Sequence, residues 1–408
     1  MGAAADMPTE DRFTAEALEF LQANAAPRVE AKAGWGEGSD RVNLLAEKTR
    51  AEEEAELEAA KGWRRLAFDA GYAWITGPPA YGGRGLPSAY ERIYQALEGG
   101  FDVPPQSPFG IGLGMVAPTI LAHATDPVKD AYLRRLWRGD IVACQLFSEP
   151  AAGSDLAGLQ TSAVRDGDEW IVNGQKVWTS GAQFSDIGEI ICRTDPSAPK
   201  HKGLTGFVVD MHAPGVEVRP LRQMTGGASF NEVFFTDVRV PDNHRLGDVN
   251  QGWTVALTTL MNERASIGGG GGGGLVATGR LIELMRHLGR DADPIARQRL
   301  ADIYINSKVS TYTSLRAMAK IKAGGLPGPE MSIAKLSMTL NLRRTCDLLS
   351  LVLGPKLVAD TGEWGTYAWS ELVLGVPGIR IAGGTDEIMR NIVGERVLGL
   401  PKEPGLSK

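Results

Sequence analysis

The chain is predicted to be an α+β protein in three parts: a helical N-terminal domain over 1–143, a central β-barrel-like domain over 144–250, and a C-terminal four-helix bundle over 251–408. Three observations predict it. Apolar residues recur at helical spacing up to about 143, switch to a period of two from 144 to 250, and return to helical spacing afterwards. Turn residues fall between the period-two runs, not inside them. The length, 408 residues with 43% hydrophobic composition, is too great for one core.

In the first part, Thr14 is placed to cap a helix carrying Ala17, Leu18 and Leu21 on one face. Arg41–Ala70 is rich in Ala, Glu, Leu and Lys and stops at Gly71, a natural residue beyond a helix end. Its acidic run, Glu52 to Glu54 with Glu56 and Glu58, reads as a solvated helix face. Thr76-Gly77-Pro78-Pro79 and Tyr81-Gly82-Gly83-Arg84-Gly85 form a loop whose Gly and Pro set backbone shape. Asp126–Gly139 is a second amphipathic helix, with Leu133 and Leu136 inward.

The stretch Cys144–Ser180 organises the middle part. An apolar run ends in Ser148-Glu149-Pro150, and Ala151-Ala152-Gly153-Ser154-Asp155 is a small-residue turn that lets backbone approach a ligand. Ser162–Arg165 and Glu169–Asn173 pair as a hairpin about Asp166-Gly167-Asp168, with Trp170 and Val172 on one face. Gly174-Gln175-Lys176-Val177-Trp178-Thr179-Ser180 closes the segment. Two loops offering hydroxyls and bare N–H groups, one with an indole, suit a flat, polar-edged, phosphate-bearing ligand. Strands follow at Ile187–Arg193, Leu204–Asp210, Val216–Arg219 and Glu232–Val240, and Pro241-Asp242-Asn243 ends the last. The third part has helices at Val255–Arg264, Asp302–Ala323, Met331–Leu353 and Glu387–Leu398, joined as an antiparallel bundle. The seven glycines Gly268–Gly274 admit two readings: a looped segment, or a helix stripped of side chains beside a ligand pocket.

A net charge of −6 and a pI of about 5.6 leave no nucleic-acid footprint. No apolar run reaches membrane-spanning length, so no membrane insertion is expected. The N-terminus lacks a secretory pattern. Cys144, Cys192 and Cys346 lack metal-type spacing and read as reduced thiols of a cytoplasmic protein, and five scattered His give no metal site.

Two blocks then speak together. Ser148-Glu149-Pro150 through Gly153-Ser154-Asp155, with Asn173-Gly174 through Trp178-Thr179-Ser180 some twenty residues on, resembles the flavin-binding middle of the acyl-CoA dehydrogenase family. Gly383-Gly384-Thr385-Asp386-Glu387-Ile388-Met389-Arg390 resembles the family's C-terminal G-T-x-E/Q-I-x-R signature. The resemblance spans about Phe13 to Pro401. It implies FAD as cofactor, an acyl-CoA substrate, an electron-transfer flavoprotein as acceptor, and a homodimer or homotetramer.

Residue by residue, it implies that Phe147 and Ser148 lie along the flavin ring. Trp178 stacks by it, with Thr179 and Ser180 at its edge. Gly153 and Ser154 meet a phosphate or the CoA arm, and Thr385 and Glu387 reach the flavin diphosphate. Most members carry the catalytic base just before the C-terminal G-T, where this chain has Gly383. An isovaleryl- and long-chain-like subset carries it on a helix immediately before an Arg, where this chain has Glu263-Arg264. The implied base is therefore Glu263, with Arg264 orienting the site and the Gly383 N–H meeting the thioester oxygen.

Two stretches depart from the family pattern. The R-x-x-F-G element that reaches a neighbouring subunit's FAD is here Arg286-His287-Leu288-Gly289-Arg290, with Arg286 or Arg290 left to contact the diphosphate. The usual Gly-Gly near 353–366 is altered to Leu353-Gly354-Pro355 and Thr361-Gly362-Glu363-Trp364-Gly365. Two further readings stay open: an oxidase using oxygen directly, and a non-catalytic subunit that completes another chain's site.

Overall fold

In the computed structural model, residues 7–29, 40, 42, 48–269, 276–322, 329 and 331–402 are described. They divide into two compact units. The first comprises 1–31, 48–221 and 229–259; the second comprises 32–47, 222–228 and 260–408.

The first unit opens with α1 (Glu10–Asn24), capped by Thr9, whose hydroxyl accepts from Arg12 N–H. Thr14, expected as the cap, lies inside the helix, where its hydroxyl donates back to the Glu10 carbonyl at 2.7 Å. Either threonine can cap; the acidic first turn after Thr9, Glu10 and Asp11, favours a helix start there because negative charge is stabilised at a helix N-terminus. The next helix is α2 (Arg50–Asp69), so the described helix begins at Arg50; of the expected start, residues 41 and 43–47 lie outside the described residues. Thr49 and Glu52 close a reciprocal capping box, so Glu52 of the acidic run is a cap partner as well as a solvated charge.

The remaining helices are α3 (Ser88–Glu98), α4 (Ala117–His123) and α5 (Asp126–Arg138). Leu133 and Leu136 of α5 are buried as the pattern required. Phe13, Tyr72, Tyr90 and Tyr94 form an aromatic cluster, with Tyr72 and Tyr94 stacked at 5.0 Å. In the Gly/Pro loop, a Cβ at Gly83 would stand 2.2 Å from the Gly77 carbonyl carbon, so its glycine answers a backbone contact.

Strands β1 (Ala26–Pro27) and β2 (Phe101–Asp102) form a small ladder. The main sheet has eight strands: β3 (Ala143–Leu146), β4 (Ser162–Asp166), β5 (Glu169–Ser180), β6 (Ile187–Arg193), β7 (Leu204–Asp210), β8 (Val216–Leu221), β9 (Phe230–Pro241) and β10 (Arg245–Leu246). Their order is β10-β7-β6-β4-β5-β9-β8, with β3 parallel to β6. The β4–β5 hairpin turns where expected, pairing Asp166 with Glu169, and Trp170 and Val172 are buried. Against β9, β5 has two irregularities, between Val172 and Gly174 and between Lys176 and Thr179.

A continuous helix, α6 (Gly252–Gly269), leads into the second unit. There α7 (Thr278–His287), α8 (Pro294–Lys322), α9 (Met331–Leu353), α10 (Ser370–Ile381) and α11 (Asp386–Ile392) surround a core that includes Leu281, Leu349, Trp369 and Leu372. α8 starts well before the expected Asp302. Asp293 caps it through Ile295 and Ala296 N–H groups, and Pro294 occupies the first position, where a missing N–H costs nothing. α9 packs on α8, α10 and α11. Of the glycine run, Gly268 and Gly269 end α6, and 270–274 lie outside the described residues.

Candidate active site

One buried ion pair builds the candidate site of the first unit. Glu149, just past β3, accepts from Gln160 N–H at 2.6 Å, Thr161 N–H at 2.9 Å and Lys176 Nζ at 2.8 Å. Lys176 is buried in β5 and also donates to the carbonyls of Phe147 at 3.1 Å and Ile191 at 2.9 Å. All three ammonium protons are thus placed. Burial pushes the Glu149 carboxyl up, but the Lys176 charge and the N–H donors outweigh it and hold it below its ordinary value. The pair fastens the loop 147–161 to β5, and Val177 N–H reinforces it by donating to the Ser148 carbonyl at 2.8 Å. Neither residue has a role assigned by its motif. The signal that could have found them is a charged residue of each sign inside otherwise apolar strand ends.

The clamp lies next to the expected flavin-side residues in the chain. Phe147 is buried and Ser148 half-buried at the end of β3. Two positions after Lys176, Trp178 has φ +61°, a conformation rare for a bulky residue, at the second irregularity of β5. The kink turns the indole outward, 57% exposed, with an edge contact to Phe230. Thr179 is buried, yet its Oγ1 has no protein partner; Ser180 is half-buried opposite Phe230. Gly153 and Ser154 are exposed in the following loop, which Lys200 braces through Asp155 at 2.8 Å. Phe147, Ser148, Trp178, Thr179 and Ser180 are therefore brought together.

In the second unit, Gly383 (φ +64°) and Gly384 (φ +92°) make a left-handed turn between α10 and α11. A base at 383 would have to hold a side chain in that conformation, which glycine adopts freely. Thr385 caps α11 by accepting from Ile388 N–H at 3.2 Å. Asp386 is buried and takes Arg380 in a fork, Nε and Nη2 each at 2.8 Å, with Thr339 Oγ1 at 2.7 Å. Burial raises its carboxyl, but Thr339 and Arg380 prevail and hold it below the ordinary range. Glu387 is exposed, 3.5 Å from Arg390. Lys335 of α9, also buried, donates to the carbonyls of Arg380 at 3.0 Å and Gly384 at 2.7 Å and feels the charge of Glu263. Glu263 is half-buried on α6; the side chain of Arg264 lies outside the described residues.

The altered segment around 360–371 lines a cavity of about 340 Å³ with Asp40, Asp360, Glu363 and Glu371 among its walls. Four carboxylates make a poor cradle for a diphosphate. Among the described residues no cluster could hold a metal ion, and no helix is long and apolar enough to cross a membrane.

Family models cover almost all of the chain: acyl-CoA dehydrogenase N-terminal domain at residues 8–140, middle domain at 144–238 and C-terminal domain at 250–398. The chain belongs to the acyl-CoA dehydrogenase family. It is 34% identical over 405 residues to acyl-CoA dehydrogenase IpdE1 of Mycobacterium tuberculosis, covering 97% of this chain and 99% of that one. With acyl-CoA dehydrogenase FadE34 of the same organism it shares 40% identity over 289 residues, 70% of this chain but only 39% of that longer protein. Among solved structures it is similar to the Tcur3481-Tcur3483 steroid ACAD, with TM-score 0.71, 25% identity and 97% and 99% of the two chains covered. The ChsE4-ChsE5 complex of M. tuberculosis gives TM-score 0.68 and 27% identity, covering 98% and 100%.

An acyl-CoA dehydrogenase is an oxidoreductase that works with FAD, and the β-domain surface of this one fits a flavin. It presents an outward indole and a buried hydroxyl left without a protein partner, on strand ends locked by the Glu149–Lys176 pair. The fit is weaker where the resemblance put the diphosphate. The Thr385 hydroxyl already caps a helix, and Glu387 adds a negative charge.

Proposed function

We propose that this acyl-CoA dehydrogenase oxidises an acyl-CoA thioester to its trans-2-enoyl-CoA, with electrons passing on to an electron-transfer flavoprotein. Glu263 takes the α-proton. The observation that carries this is the pairing of a left-handed glycine turn at 383, unsuited to a side-chain base, with a half-buried carboxylate at 263 on α6. FAD, when bound, supplies the two-electron acceptor for the hydride that leaves the β-carbon. An α C–H is too weak an acid for a carboxylate unaided, so the thioester carbonyl has to be polarised. The Gly383 N–H is the donor for that oxygen, held in place because Lys335 grips the next carbonyl. Phe147, Ser148, Trp178, Thr179 and Ser180 form the flavin surface, Gly153 and Ser154 the approach for a phosphate-bearing arm, and Arg264 balances charge beside the base.

The substrate class we favour is a thioester of a lipid or steroid-derived acid. Support comes from the names of similar proteins, one of them a steroid ACAD, and from the glycine run that begins at the end of α6. Anaerobic titration with straight-chain, branched and steroid side-chain acyl-CoAs tests it: one class should bleach the flavin at near-stoichiometric amounts. Bleaching by none of them would refute the activity, and preference for short straight chains would refute the class.

A second reading has its own support. The four-carboxylate cavity and the altered 286–290 segment suit a chain whose FAD site is completed by a different subunit, and two similar structures are named as two-component assemblies. Protein that purifies colourless and turns yellow with FAD only when a second chain is added would establish it.

A further inference from the structure

We propose that Asn231 is a positioning residue for the flavin surface: its buried amide pins the end of β5, so that Trp178 and Ser180 keep the arrangement in which they meet the ring. The inference rests on the reading of those two residues as flavin contacts. Asn231 of β9 is 1% exposed and pairs across the sheet with Thr179, while its neighbour Phe230 pairs with Ser180 and carries the edge contact to Trp178. The Asn231 Nδ2 donates to the Thr179 carbonyl at 3.1 Å and to Gln183 Oε1 at 2.6 Å. A carbonyl only accepts, so the nitrogen end of the amide has to face it.

The place of these bonds gives them their consequence. Among the described residues of β9, none pairs with Val177 or Trp178, so the regular ladder lapses beside the indole, where the main chain has φ +61°. It resumes at Thr179, the residue whose carbonyl Asn231 holds. The peptide unit is planar, so fixing that carbonyl also fixes the direction of the Ser180 N–H. Gln183 lies in the turn that follows β5, beyond Gly181 at φ +68°, and its own carbonyl accepts from Arg50 of α2 at 2.8 Å. One side chain therefore ties the strand end to the turn that leaves it. Without the amide, the carbonyl of Thr179, a residue 2% exposed, loses a buried donor, and the strand end has to shift to find another.

The test compares Asn231→Leu, which keeps the size and removes the amide, with Gln183→Leu, Trp178→Phe, the double variant of Asn231→Leu and Trp178→Phe, and the parent holoenzyme. Three readings are taken: the fluorescence of bound flavin at saturating FAD, the FAD dissociation constant and the urea midpoint of the FAD-free protein. An indole in contact with a flavin ring quenches its emission by electron transfer, so Trp178→Phe should brighten the bound flavin. Asn231→Leu should brighten it towards the same level and add nothing in the double variant. Its FAD affinity should fall about tenfold, the factor that one buried hydrogen bond is worth. Gln183→Leu breaks one of the two bonds and should give a smaller rise in emission, which decides the matter if Asn231→Leu does not fold. Parent emission in Asn231→Leu, whatever its urea midpoint, would make Asn231 a purely structural residue and overturn the proposal. So would a further rise in the double variant. Unchanged emission in Trp178→Phe would instead overturn the reading of Trp178 as a flavin contact, and this inference with it.

Discussion

Glu189 shows how one residue can make stability depend on pH without joining the chemistry. It is buried in β6, where Oε1 accepts from Thr259 at 2.5 Å and Oε2 has no partner. Thr259 in turn meets Thr119 at 2.9 Å. Burial pushes its carboxyl up to about 8, against a small opposing pull from Thr259. The folded protein therefore binds this proton more tightly than the unfolded chain. Its stabilising effect is complete below the ordinary carboxylate range and is lost as pH rises towards 8. Glu189→Gln keeps the size and removes the ionisation. Its unfolding free energy should match the parent near pH 4. Near pH 9 it should exceed the parent by a few kcal/mol, at about 1.4 kcal/mol for every tenfold difference in proton affinity between folded and unfolded chain. Parallel stability-versus-pH curves for the two proteins would refute the raised carboxyl.

At the scale of elements, the Glu149–Lys176 pair joins the β3 loop to β5 two positions before Trp178. Lys176→Met leaves a buried carboxylate without its cation and should cost about 3–5 kcal/mol in urea unfolding. Adding Glu149→Leu should recover much of that loss, because the two residues act as a unit. Simple addition of the two penalties would show that they are independent. Strands are the most legible elements: Ile187–Arg193 and Leu204–Asp210 fall as their apolar runs predict, since burial on both faces fixes their length. Helix starts are less so. Thr9 and Thr14 are chemically equal candidates, and only the surrounding chain picks Thr9. α10 is hidden in the sequence because Gly375, Pro377 and Gly378 read as breakers, although the helix continues through Pro377. Of the site, Trp178 and its neighbours are readable from motif order, but the outward turn of the indole is not. It depends on an irregularity between β5 and β9, which are joined far apart in sequence. Lys335 gives no local signal for the same reason: its partners lie 45 and 49 residues away.

Across the whole molecule, labour is divided. The β domain offers strand ends fixed by a buried ion pair beside an outward indole, and the C-terminal helices offer a left-handed glycine turn and a half-buried carboxylate at 263. The family supplies the cofactor and reaction class; the base at 263 is the proposal that remains to be tested. Anaerobic acyl-CoA titration of the parent and Glu263→Gln, each loaded with FAD, tests that placement most directly. The variant should keep its yellow colour and substrate binding while the rate of flavin bleaching falls by at least about a thousandfold, on the order of 4 kcal/mol of barrier. Bleaching at the parent rate would contradict that placement and put the base elsewhere.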